Sequence, residues 1–295
     1  MTVCIGAICK IPNFGQGIVS CSDTRSVVSG STFSDRTWKR EPLGKKMFAL
    51  LSGQLACGRE LASMYREYLQ DRSDSMPETA VGMLELLREP PRRLKRKLVE
   101  EYFQLKWAIS YEDFLAGKLN SLRESELLRI DSEINNIAFP DQTYSLIGSL
   151  ATGEPSLFSV YPDGMVYEEE NFAVIGSGYA IARASLCTRQ YHEFLSLGEA
   201  LYAVYEAKKL SEGDPNVGPE TAMWIDFLDH NGNQVFRPIG REIEYFQSQF
   251  DKYGPQPLAG MELPADMETR WLTLEEDELQ NIPQASAGDT EEAKR

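Results

Sequence analysis

The stretch MTVCIGAICKIPNFGQGIVSCSDTR (residues 1–25) contains two apolar segments around a turn. Val3, Ile5, Ala7 and Cys9 alternate as one face of a strand; IPNFGQG supplies turn residues; IVSCS forms a return strand that runs into Asp23-Thr24-Arg25. A β-hairpin is predicted. It leaves open whether Thr2 is an ordinary strand-entry threonine, a residue type that suits strands, or a working residue.

Outward from the hairpin, KKMFALLSG reads as a third strand ending at Gly53, after which Leu61, Met64, Tyr65, Tyr68 and Leu69 recur at helical spacing. Residues 78–137 are helical in pattern, with a break expected at Pro90-Pro91 and an apolar face of Leu94, Leu98, Leu105 and Ile109 beyond it. That face needs a covering surface, and a neighbouring subunit is expected to supply it. Strands resume in TYSLIGS, LFSVY, MVYEE and FAVIGSG, followed by helices over about 180–189 and 198–211. AMWIDFLD and QVFRP then form a second hairpin around His230-Asn231-Gly232-Asn233.

This order lacks the βαβ alternation of a parallel sheet. It predicts an α+β fold of antiparallel sheets with helices packed outside. Residues 1–255 are expected to form one domain carrying the helical insertion 78–137, and residues 262–295, rich in Glu, Asp, Pro and Gln, an acidic disordered tail.

A chain of 295 residues, 42% of them hydrophobic, can bury a sizeable core. Its five cysteines form no C-x-x-C pair, which argues against zinc or a redox dithiol and for free thiols in a reducing cytoplasm. No apolar run approaches the roughly twenty residues of a membrane span, and no signal peptide is expected. The net charge of −15 argues against nucleic acid. The basic stretch PPRRLKRK (90–97) reads as a solvated helix face. His192 and His230 lie outside any ligand-spaced cluster, so neither a metal site nor a Ser-His-Asp triad is indicated. IGSGYAI lacks the third glycine and the βαβ context of a dinucleotide loop, so no cofactor is expected.

Taken together, the Thr2 hairpin with its S-D-T-R end, the LLSG loop, LFSVYPDG and IGSG resemble the proteasome β-subunit family of N-terminal nucleophile hydrolases, and bacterial proteasome-like proteins in particular. The resemblance covers about residues 2–70 and 142–237. It implies a four-layer α/β/β/α sandwich with two antiparallel sheets between helical layers. It further implies a threonine-type peptidase whose nucleophile is Thr2 once Met1 is removed, cleaving peptide or protein substrates in a homo-oligomeric ring or stack to which an unfoldase partner could couple.

By the same resemblance, Asp23 takes the place of the catalytic aspartate and Lys39, sixteen residues later, that of the catalytic lysine; Gly53 takes the oxyanion position, and Ser177 and Asp214 those of the supporting serine and aspartate that hold the amine. The chemistry suits these residue types. A hydroxyl is a weak nucleophile that needs a base. An α-amine titrates at about 7.7–8.0, against about 10.4 for a lysine side chain, so it is the better base near neutral pH. A lysine cation beside the amine depresses its pKa and polarises the hydroxyl, while a backbone N–H receives the oxyanion.

Three departures stand out, one being the helical stretch 78–137, which exceeds the corresponding family segment. Asp214-Pro215-Asn216-Val217-Gly218 carries valine where the family usually has a serine before the glycine. WKREPLGKK has Arg40 where an apolar residue normally follows the lysine, and one small gap would put Arg36 at the cation position. A non-catalytic assembly subunit and an amidase of the same superfamily acting on a small molecule are the alternative functions.

Overall fold

The computed structural model describes residues 2–29, 32–34, 38–72, 76–119, 121–135, 137, 144–255, 257–258, 261 and 264. Its strands are β1 (Val3–Ile11), β2 (Gly15–Asp23), β3 (Ser26–Ser29), β4 (Thr32–Ser34), β5 (Arg40–Gly44), β6 (Met47–Ser52), β7 (Tyr144–Ser149), β8 (Ser156–Val160), β9 (Val166–Glu169), β10 (Phe172–Gly176), β11 (Thr221–Leu228) and β12 (Gln234–Ile239). The helices are α1 (Leu55–Gln70), α2 (Ala80–Trp107), α3 (Tyr111–Leu115), α4 (Glu124–Asn135), α5 (Tyr179–Thr188), α6 (Leu197–Ser211) and α7 (Arg241–Tyr253).

One five-stranded sheet has the order β10-β1-β2-β11-β12 and the other β5-β6-β7-β8-β9; every neighbouring pair is antiparallel. The predicted first hairpin is β1–β2, with Cys4 opposite Ser22 and Ile8 opposite Ile18. The period of two decides the layering. In β6, Phe48 and Leu50 point into the space between the sheets with Cys4, Ile8, Leu146 and Trp224. Met47, Ala49 and Leu51 point the other way, onto Leu61, Tyr65 and Leu69 of α1 and Leu87 and Leu94 of α2. The helices α5 and α6 lie against β1, β2 and β10 of the first sheet. The result is the expected α/β/β/α sandwich, in which each fully buried Leu or Phe contributes about 1.5–3 kcal/mol.

The structure corrects two expectations. The helix does not break at Pro90-Pro91; α2 runs through both prolines, which are buried. Pro91 has no N–H to offer the Leu87 carbonyl four residues earlier, but the Tyr65 hydroxyl donates to that carbonyl at 2.8 Å. The apolar face beyond the prolines is also mostly covered from within the chain. Leu94 and Leu98 pack into the α1–α2 core, and Ile109 into a small cluster around Val99, Phe103 and Ile130, leaving Leu105 exposed at 88%.

Three of the five cations of the basic stretch pair within the chain: Arg93 and Arg96 share Glu89, and Lys97 meets Glu60 and Glu101. Arg36 and, apart from Pro264, the acidic tail 262–295 lie outside the described residues. Among the described residues no helix is long and apolar enough to cross a membrane.

Candidate active site

Thr2 stands at the entry to β1, where its residue is almost wholly buried at 1% exposure. Two features fix it there. The first is the β1–β10 ladder, which pairs Val3 with Gly176. The second is a pair of donors on the Thr2 carbonyl, the Gly178 N–H at 3.2 Å and the Ser177 hydroxyl at 3.3 Å. Gly176 has φ +101°, and a Cβ there would stand 2.2 Å from the Thr2 carbonyl oxygen, so any side chain would displace the threonine.

Asp23 closes β2 and is completely buried. Its Oδ1 accepts from the Val3 N–H at 3.0 Å, from Lys39 Nζ at 2.8 Å and from the Thr2 hydroxyl. Its Oδ2 accepts from the Gly218 N–H at 3.0 Å and the Arg25 N–H at 3.3 Å. The carboxylate is therefore held from three directions: the strand start, the lysine and the 214–220 loop. Arg25 also ties that loop down, its Nη1 donating to the carbonyls of Pro215 and Val217.

Lys39 lies just before β5, 2% exposed, and its Nζ donates to both Thr2 Oγ1 and Asp23 Oδ1. The Leu51 N–H donates to its carbonyl at 2.8 Å, which sets the lysine beside the end of β6. That end carries the loop of Ser52 and Gly53. Gly53 has φ +87° and sits between the strand and the N-terminus of α1, where backbone N–H groups and the helix dipole favour negative charge. The loop lies close to Thr2: Cys4 Sγ is 3.5 Å from the Leu51 carbonyl, and Ser52 Oγ is 3.0 Å from the position of a Cβ on Gly176. Burial pushes the Cys4 thiol up to about 12, outweighing the opposing influence of Lys39 and disfavouring the thiolate.

Six residues were expected at the site. The structure joins Thr2, Asp23 and Lys39 by direct hydrogen bonds, places Gly53 on the adjoining loop, and puts the Ser177 hydroxyl on the Thr2 carbonyl. Asp214 turns elsewhere. Its Oδ1 accepts from the N–H and Nδ2 of Asn216 at 2.8 and 2.9 Å, closing its own loop. Val217 is buried, and its Cγ2 lies 2.8 Å from where a Cβ on Gly178 would stand, an apolar contact in place of a hydroxyl. The sequence reading missed the backbone donors of Gly178 and Gly218. IGSG and NVG mark close backbone approaches, but nothing local says to what.

The α/β/β/α sandwich of two five-stranded antiparallel sheets is the fold class of the N-terminal nucleophile hydrolases. Within it, the model of the proteasome subunit family matches residues 135–216, from before β7 through α6, which is under a third of the chain. With the fold, that match bears out the resemblance to the proteasome β-subunit family. It spans Ser177 and Asp214 and leaves Thr2, Asp23, Lys39 and Gly53 outside. No curated protein gives a significant match to the chain.

Proposed function

We propose that the chain is a threonine-type peptidase of proteasome β-subunit type, acting on peptide or protein substrates in the cytoplasm from a homo-oligomeric ring or stack. The observation that carries this reading is the direct contact of Lys39 Nζ and Asp23 Oδ1 with Thr2 Oγ1 in a buried setting. Once Met1 is removed, Thr2 bears a hydroxyl and an α-amine on one residue. The hydroxyl oxygen attacks the peptide carbonyl as its proton passes to the amine, directly or through a water. Lys39 stabilises the oxygen as charge develops on it, and Asp23 keeps Lys39 in place. The Gly53 N–H receives the oxyanion. Collapse of the tetrahedral intermediate breaks the C–N bond, the amine returns its proton to the leaving nitrogen, and water then hydrolyses the ester on Thr2.

Removal of the nucleophile tests this. Thr2→Ala is expected to reduce hydrolysis of a fluorogenic peptide panel to background while circular dichroism and particle size stay unchanged. The second reading, a non-catalytic assembly subunit, is favoured by one observation: the supporting shell around the amine is incomplete, with Asp214 turned into its own loop and valine at 217. A wild-type protein that hydrolyses none of the peptides in its assembled state would establish that reading instead.

A further inference from the structure

Arg40 follows Lys39 directly and takes no part in the hydrogen bonds among Thr2, Asp23 and Lys39. From β5 in the second sheet its guanidinium crosses to Asp226 on β11 of the first, with Nη2 2.7 Å from Oδ1 and 2.9 Å from Oδ2. Asp226 is fully buried and Arg40 only 11% exposed. The guanidinium carbon lies 4.2 Å from the ring centre of Phe48 and 4.3 Å from that of Phe236. Gln234 Nε2 donates to Asp226 Oδ1 at 2.8 Å.

A buried ion pair is a costly way to join two sheets. Burial lowers the Arg40 pKa and raises that of the Asp226 carboxyl, in each case against the attraction of the partner. A well-packed apolar pair would hold the sheets at least as firmly. The ion pair differs in being directional: Arg40 has one planar group, one carboxylate to meet and aromatic rings against its face. We infer that the Arg40–Asp226 pair is a positioning device for Lys39, registering β5 against the first sheet at the residue next to the lysine. The Leu51 N–H on the Lys39 carbonyl fixes that residue's own backbone. Between them the stem of Lys39 starts from a fixed place, and its Nζ meets two oxygens with little freedom left to lose. The inference rests on the role proposed above for Lys39.

The test separates positioning from simple stability by replacing both partners at once. In the double variant Arg40→Leu/Asp226→Leu, a melting temperature at or above that of the wild type is expected, since the pair gives way to apolar packing. Lys39 is read directly by acetylation with an N-hydroxysuccinimide ester and peptide mass mapping. It should be protected in the wild type and acetylated about tenfold faster in the double variant, a change that corresponds to roughly 1.4 kcal/mol in local opening. Peptide hydrolysis should fall about a hundredfold in kcat with KM nearly unchanged, the pattern of a misplaced catalytic group. Wild-type acetylation and wild-type kcat in the double variant would overturn the inference. If the wild type hydrolyses no peptide, the proposed function fails but the acetylation result still decides the positioning. Should the double variant not fold, Arg40→Lys keeps the charge and loses the planar group. Faster acetylation of Lys39 at an unchanged melting temperature then supports the inference, and unchanged acetylation contradicts it.

Discussion

Lys39 is the residue at which the two functional readings diverge, because a cation against the threonine hydroxyl matters only if that hydroxyl reacts. On the enzymatic reading, replacing it with alanine is expected to remove electrostatic stabilisation of a developing charge, a loss of about 2.7–4 kcal/mol, or roughly a hundred- to a thousandfold in kcat. Lys45→Gly, at an exposed turn position with φ +53° that glycine adopts readily, should leave turnover unchanged in the same fluorogenic assay. If the two variants behave alike, Lys39 has no catalytic role. The sequence singled out Thr2, Asp23 and Lys39 through the resemblance of their order and spacing to the family pattern, and the structure joins the three by hydrogen bonds. The orientation of Asp214 was not legible, since Asn216, two residues on, competes for the carboxylate.

At the level of elements, α2 shows how a tertiary contact overrides a local rule. Two consecutive prolines should end a helix, yet a hydroxyl from α1 replaces the missing donor at Leu87. Tyr65→Phe keeps the ring in its buried place and deletes only that donor. It removes the hydroxyl's hydrogen bond to the buried Leu87 carbonyl, for an expected cost of about 1–3 kcal/mol. Urea unfolding at an unchanged m-value measures it, and an unchanged midpoint would mean that the prolines are tolerated for another reason. The pattern that defined β1, β2 and β6 was plain because these strands are apolar and central. The edge strand β5 escaped notice because REPLG is short, polar and contains proline. The last helix, α7, was also missed, although Glu242 and Glu244 in its first turn, Phe246 and Phe250 on one side and Gly254 after its end are start and stop signals.

For the whole molecule, the site exists only when the sandwich has closed. The first sheet supplies Thr2 and Asp23, the chain entering and leaving the second supplies Lys39 and Gly53, and the loops at 177 and 218 complete the surround. The sequence could announce the sheets through the alternation of the first strand and the apolar runs bounded by turns that follow. It could not show that Arg40 meets Asp226 across 186 residues of chain, because nothing in either local pattern names the other. The enzymatic reading requires that Thr2 carry a free α-amine in the finished fold. A peptide epoxyketone, which closes a ring only by bonding to both a hydroxyl and its neighbouring amine, reports on both groups at once. Incubating the purified protein with it and locating the adduct by peptide mass should place the modification on a chain beginning at Thr2, with Thr2→Ala unmodified. A retained Met1 with no adduct at Thr2, in protein that nevertheless hydrolyses peptides, would show that the reacting residue lies elsewhere.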